Sequence, residues 1–255
     1  MKCLVTGGAG FIDSTLTDRL LSEGFETIAY DNLSTGYSQF IADAGKRSKF
    51  QFVQGDILDT AKLQQVMAGC DVVYHFAANA DIRGGLANPR KDLEQNTLGT
   101  FSVLEAMRAA GVRKIAFASS SAVYGNATVI PTPEDAPMPV QISMYGASKL
   151  SGEGLITAFC EAYGFQSWIF RYVSIMGQRY PHGHVFDFVK KLRRDPGRLE
   201  ILGDGKQRKS YVHVEDCVSG IRLAVEKAGD ACNIFNISLD EYVPVDQSAK
   251  WITSR

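Results

Sequence analysis

Residues 1–16 read MKCLVTGGAGFIDSTL, and the fold follows from how this stretch is parsed. Cys3 to Val5 form a short apolar strand that runs into Thr6-Gly7-Gly8-Ala9-Gly10, and a helical pattern follows. Glycines between a strand and a helix let the backbone approach a pyrophosphate at the helix N-terminus, as in a dinucleotide-binding turn. The spacing asks for a third small residue at position 13, where helix and strand pack closely. Asp13 stands there instead, a carboxylate aimed at a region suited to phosphate.

Working outward, Leu16, Leu20 and Leu21 make a helical stripe that Gly24 stops. Glu26 to Tyr30 is a strand ending at Asp31, and Phe50 to Val53 is another, ending at Gly55-Asp56. Val72 to Phe76 is a fourth strand and Lys114 to Ala118 a fifth, after a long amphipathic helix. A helix beginning near Met144 leads to the strand Trp168 to Tyr172. Repeated strand–helix units with apolar strands imply an α/β fold, a doubly wound, Rossmann-like parallel sheet. Ligands of such sheets bind beyond the carboxyl ends of the strands. Residues 1–172 read as the dinucleotide-binding domain. Residues 173–255 read as a smaller substrate lobe, partly interleaved with the sheet, with a glycine turn at Leu202 to Gly205 and a helix around Glu215 to Glu226.

The bulk numbers set limits. The 255 residues are 45% hydrophobic with a net charge of −1, so a sizeable core is affordable and no general pull towards nucleic acid or anionic membrane is expected. The basic run Lys190 to Arg194 reads as the solvated face of a helix whose apolar stripe is Phe186, Val189 and Leu192. Five scattered cysteines show no metal-ligand spacing, which predicts reduced, mostly buried thiols and no metal site. No apolar run is long enough to span a membrane and no cleavable leader opens the chain, so the protein reads as soluble and cytoplasmic.

Two features point to chemistry. Asp31 ends the second strand about 20 residues after the glycines, where an acid accepts ribose hydroxyls and repels a 2′-phosphate, favouring NAD over NADP. A strand-end aspartate capping the next turn is the alternative reading. In Tyr145-Gly146-Ala147-Ser148-Lys149 the phenol and the ammonium share a helix face, and a nearby cation lowers a tyrosine pKa towards usable basicity. Ser119-Ser120-Ser121 end the preceding strand and face the same cleft, with backbone capping as the alternative role.

TGGAGFI at 6–12, YDNLSTG at 30–36, GDI at 55–57, HFAA at 75–78, NTLGT at 96–100, SSSAVYG at 119–125, YGASK at 145–149 and RKSYVHVEDC at 208–217 occur in order. By these motifs the chain resembles the extended short-chain dehydrogenases/reductases, in particular the NAD-dependent nucleotide-sugar epimerases, over nearly its whole length. The resemblance implies a 4-epimerase of a UDP-hexose (UDP-glucose/UDP-galactose) that works through a 4-keto sugar, with NAD as cofactor and a homodimer as the assembly. It assigns Tyr145 as base, Lys149 as its partner and Ser120 as the hydroxyl at the sugar O4. Gly7, Gly10, Phe11 and Ile12 would hold the cofactor at the glycine turn. Asp31 and Asn32 would hold its ribose, and Asp56 and Ile57 its adenine. Phe76, Ala77, Ala78, Asn96 and Tyr172 would line it. Ser121, Ser174, Arg208 and Lys209 would meet the substrate, and the dimer would form through helices around Asn96 to Ala110 and Gly146 to Tyr163.

The departures from that pattern matter as much. Asp13 replaces a glycine, Ser174 an asparagine and Lys209 an arginine, the last exchanging a planar fork for a point charge. The chain stops at Trp251-Ile252-Thr253-Ser254-Arg255, which is expected to open the substrate lobe and weaken substrate binding. Ser174 and Arg179 also suit UDP-glucuronate, so a 4-epimerase of that sugar stands as an alternative. A non-catalytic NAD-binding protein with a degraded site is another.

Overall fold

The computed structural model describes residues 1–82, 84–137 and 140–254, with only the backbone described at Gly84 and Leu86; Arg255 lies outside this set. In chain order the elements are β1 (Lys2–Thr6), α1 (Phe11–Ser22), β2 (Glu26–Asp31), β3 (Phe50–Gln54), α2 (Thr60–Met67) and β4 (Val72–His75). Then come α3 (Gly84–Ala87), α4 (Pro89–Asp92), a wide turn of π-helix over Leu93–Leu98, α5 (Gly99–Ala110), β5 (Lys114–Ser120) and α6 (Met144–Tyr163). The chain ends with β6 (Gln166–Tyr172), β7 (Ser174–Met176), α7 (His184–Arg194), β8 (Arg208–Lys209), β9 (Tyr211–His213), α8 (Val214–Lys227), β10 (Cys232–Ile237), β11 (Val243–Pro244) and α9 (Val245–Thr253).

Seven strands form one parallel sheet in the order β10-β6-β5-β4-β1-β2-β3. The order reverses between β1 and β4, and a crevice opens beyond the strand ends at such a switch point. The core lies in two layers. Leu63, Met67, Leu104, Ile115, Phe117 and Ile156 fill one face of the sheet, and Leu16, Leu20, Trp168, Phe170, Val218 and Ile221 fill the other. Strands buried on both faces need no polar alternation, which is why they read as apolar runs.

The seventh strand comes from the last third of the sequence. Residues 214–237, α8 and β10, return to the sheet, and β10 pairs with β6 from Cys232↔Ser167 to Ile237↔Tyr172. What remains of the last third is a small layer in which β7 pairs with β9, β8 with β11, and Phe188 packs on Val245 and Ala249.

Helix α7 corrects one detail of the sequence reading. Its buried residue is Phe188, whereas Phe186 and Val189 are largely exposed. The inward face centres on Phe188, which packs on Val245 and Ala249 of α9, and only Leu192 of the expected stripe remains less exposed. The basic run does lie on the solvated side, with Lys191 reaching Glu200. Four of the five cysteines are buried and Cys232 is exposed. Among the described residues, no helix is long and apolar enough to cross a membrane, and no cluster of His, Cys, Asp or Glu could hold a metal.

Candidate active site

The glycine turn is built by close approach. Gly7 has φ +76°, and a Cβ there would stand 2.8 Å from the Ala77 nitrogen at the end of β4. A Cβ on Gly8 would stand 2.6 Å from that of Ala29 in β2. Either substitution would force β1 away from a neighbouring strand, so the turn sits tightly at the switch point. Gly10 caps α1 without any side-chain hydrogen bond, leaving the first amides of the helix open to an anion.

Asp31 caps the turn that follows β2 and also reaches back to the glycine turn. Its carboxylate accepts the Ala9 amide at 3.0 Å and the Leu33 amide at 2.7 Å, fixing the glycine turn and its own turn together. Next to it, Asn32 donates to Asp56 at 2.9 Å, so these two are brought together as one group. Ile57 turns its side chain into the core against Gly99. Phe76 and Tyr172 meet edge to face, with ring centroids 6.3 Å apart. The Tyr172 hydroxyl is buried and has no hydrogen-bond partner among the described residues.

Around the second constellation, Ser143 caps α6 by accepting the Gly146 amide at 2.9 Å, which starts the helix one residue before Tyr145. Ser120 stands beside the Tyr145 phenol and accepts the Ala122 amide at 3.1 Å, which caps the short turn after β5. Ser121 begins the short turn that follows. Ser119 points the other way and donates to Glu153. Lys149 is buried, donates to the Ala118 carbonyl at 2.7 Å, and lies 5.0 Å over the Phe117 ring and 6.0 Å from the Tyr145 ring centre.

Electrostatically the site differs from the sequence expectation. Burial pushes the Tyr145 phenol above its usual range; the Ser120 bond draws it down and Asp92 raises it further. The Lys149 ammonium is turned to a carbonyl beneath the ring, so it does not offset that burial. Lys149 itself is lowered by burial to about 8, while Asp13, Glu153 and Asp92 oppose the loss of its charge.

Asn96 was expected against the cofactor. Its amide is instead spent inside the protein, accepting the Asn79 amide at 2.7 Å and donating to the Ser148 hydroxyl at 2.9 Å. The π-helical turn aims it there, tying the β4 loop to α6. Asp92 joins the group by accepting from Asn79 at 2.7 Å. His75 was noted only as part of a motif; it is fully buried, with Thr6 at 2.8 Å on one ring nitrogen and Thr100 at 3.0 Å on the other. Glu153 and Arg171, which the sequence reading did not single out, form a buried ion pair behind the site. A signal for Glu153 was present: Tyr145, Lys149 and Glu153 recur every four residues on one helix face.

The residues expected at the substrate are spread over the small layer. Ser174 opens β7 opposite Tyr211, two residues beyond Lys209. Lys209 acts on His184, whereas Arg208 stacks 4.6 Å over the Tyr242 ring and donates to its hydroxyl. Neighbouring strand residues face opposite ways, so Arg208 and Lys209 leave β8 on different sides. Arg179 pairs with Asp18 of α1 at 2.8 Å through Nη2, whereas its Nη1 is buried without a hydrogen-bond partner among the described residues.

These residues fit a dinucleotide: the cradle is glycine-lined, the helix end uncapped, the strand-end acid in place, and the Tyr172 hydroxyl unpartnered. One residue intrudes. The Asp13 carboxylate lies against Gly10 in the first turn of α1 and makes no bond to the nearby hydroxyls of Thr6 or Ser14. Thr6 and Ser14 are engaged elsewhere, with His75 and with the Phe11 carbonyl.

A switch-point glycine turn facing a Ser-Tyr-Lys group across the same crevice is the arrangement of the extended short-chain dehydrogenases/reductases. The chain belongs to the NAD dependent epimerase/dehydratase family, whose model matches residues 3–238. It is 38% identical over 238 residues to the UDP-glucose 4-epimerase of Mycolicibacterium smegmatis, covering 90% of this chain and 74% of that protein. Among solved structures it resembles UDP-glucose 4-epimerase from Thermotoga maritima with UDP-glucose, at 33% identity and TM-score 0.90, covering 100% of this chain and 82% of that one. It also resembles UDP-glucuronic acid 4-epimerase from Bacillus cereus with UDP-glucuronic acid and NAD, at 29% identity and TM-score 0.91, covering 100% and 82%.

Proposed function

We propose that this protein is an NAD-dependent 4-epimerase of a UDP-hexose, interconverting UDP-glucose and UDP-galactose. The observation that carries the reading is the grouping of Ser120, Tyr145 and the buried Lys149, whose ammonium lies 6.0 Å from the Tyr145 ring centre, beside a glycine-lined cradle. Similarity to UDP-glucose 4-epimerases at 36% and 38% identity supports the sugar.

Gly7, Gly10, Phe11 and Ile12 hold the cofactor at the turn, Asp31, Asn32, Asp56 and Ile57 its adenosine end, and Phe76, Ala77, Ala78 and Tyr172 line the rest. Asn96 acts from behind, fixing Asn79 and Ser148. When bound, NAD supplies an acceptor for the C4 hydride and a positive ring charge that favours phenolate at Tyr145. Ser120 and Ser121 hold the sugar, Ser120 at O4. Tyr145 takes the 4-hydroxyl proton as C4 is oxidised. The 4-keto sugar turns over, and Tyr145 returns the proton to O4 once C4 has been reduced on its other face. Lys149 keeps its charge below about pH 8 and, held by the Ala118 carbonyl, would meet the nicotinamide ribose. Ser174 and Lys209 meet the diphosphate, with Arg208 as an outer contact.

A homodimer through α5, α6 and the turn before them is part of this reading. Leu93, Leu98, Phe101 and Tyr163 are each roughly half exposed on those helices, and pairing would cover them. Sedimentation of the protein and of Phe101→Glu tests it: a dimer that the variant dissociates is expected, and a monomeric parent refutes it.

The activity is tested by incubating the protein with UDP-glucose, UDP-galactose and UDP-glucuronate, with and without added NAD, and resolving 4-epimers by NMR. Interconversion of the first two is expected. Turnover of UDP-glucuronate alone would reassign the substrate, and no turnover with NAD bound would leave a binding protein.

A further inference from the structure

The Asp13 carboxylate lies where an anion would sit. Its Oδ2 is packed on Gly10, so closely that no Cβ would fit between them, in the first turn of α1. That turn has no side-chain cap, so the carboxylate stands at a helix end that would otherwise receive an external phosphate. We propose that Asp13 is a built-in competitor of the cofactor pyrophosphate, and that NAD enters the site together with one proton, taken up by Asp13. This rests on the dinucleotide reading given above.

The surroundings favour a neutral acid once a second anion arrives. Asp31 at the end of β2 faces Asp13 and opposes its charge. Among the described residues Lys149 of α6 is the one cation acting on it, and that ammonium is already committed to the Ala118 carbonyl. Tyr172 of β6 and Cys217 of α8 complete the facing groups, and the charge on Asp13 raises both. On α1 itself the next charges are turned away, Asp18 to Arg179 and Arg19 to Ser219 and Glu23. Burial therefore pushes the Asp13 carboxyl well above the usual range even before a ligand is present. A pyrophosphate placed a few ångströms away pushes it further, and the difference between the two states appears as proton uptake. Protonated, Asp13 can donate to a phosphate oxygen where the carboxylate could only repel it.

The sign follows from linkage. The complex binds the proton more tightly than the free protein, so NAD affinity falls as pH rises, by up to about tenfold per pH unit between the two pKa values. The experiment is calorimetric titration of NAD into the parent, Asp13→Gly and Asp13→Asn from about pH 5.5 to about 9, in two buffers of different ionisation enthalpy. The parent is expected to take up close to one proton somewhere in that range and to weaken with rising pH. Both variants are expected to bind tighter than the parent at the alkaline end, with the pH slope and the proton uptake lost. A slope that persists in Asp13→Asn belongs to Lys149 or another group and overturns the proposal. So does a parent whose affinity is independent of pH, even if Asp13→Gly binds more tightly. Failure of all three proteins to bind NAD at any pH would instead overturn the cofactor reading itself.

Discussion

Arg171 and Glu153 grip each other through two parallel hydrogen bonds, Nε to Oε1 at 3.1 Å and Nη2 to Oε2 at 2.8 Å, and both side chains are buried. Glu153 also accepts from Ser119, the neighbour of Ser120, and lies one turn beyond Lys149. The remaining guanidinium nitrogen donates to the Tyr124 hydroxyl at 2.7 Å and the Glu134 carbonyl at 2.9 Å. One ion pair thus ties the end of β5 to α6 and to the loop between them, the pieces that carry Ser120, Tyr145 and Lys149. Removing one partner leaves a buried charge alone, so Arg171→Ala and Glu153→Ala should each cost about 3–5 kcal/mol. Urea denaturation measures this, and a loss under about 1 kcal/mol would mean the surviving charge finds water or another partner.

Tyr145→Phe should leave folding and NAD affinity nearly unchanged and reduce kcat by at least about a hundredfold, since the ring is kept and only the proton acceptor is lost. Steady-state kinetics alongside NAD titration separates the two effects. Near-normal turnover in the variant would return Tyr145 to a packing role.

NADP should bind at least about tenfold more weakly than NAD, because its 2′-phosphate would stand against the Asp31 carboxylate. The parent protein is the right subject for this comparison. Asp31 also braces the turn through Ala9 and Leu33, so replacing it would disturb both cofactors. Equal affinities would leave Asp31 with its structural role alone.

His75 should make the protein sensitive to acid. Burial lowers its pKa from 6.5 to about 3, so between those values the unfolded chain binds a proton that the folded protein refuses. Stability is therefore lost as pH falls below about 6.5, at up to about 1.4 kcal/mol per unit. Denaturation of the parent and of His75→Gln between about pH 7 and 4 should give a shallower loss in the variant. Identical slopes would assign the acid sensitivity to carboxylates.

Local chemistry explains what could be read without coordinates. Gly7 and Gly8 had to be glycine wherever a strand met a helix this tightly. Asp31 stood at a strand end, Tyr145 and Lys149 stood four apart on a helix, and the apolar runs could only be strands of a buried parallel sheet. Each depends on residues within a few positions of one another, where strand alternation and helical period are enough. The tertiary structure decided what depends on distant partners. Cys232 to Ile237 joins the sheet because β6 offers an open edge, and Phe188 faces inward because α9 covers it. Asn96 is spent on Asn79 and Ser148 because a π-helical turn aims it there. The Tyr145 phenol rises where spacing to Lys149 predicted a fall, because burial acts through every element around the site and the ammonium turned to Ala118. Asp13 was visible as a residue out of place, but only the packed turn put its carboxylate on Gly10. Periodicity is written along the chain, whereas desolvation and charge are summed over neighbours that only folding brings together.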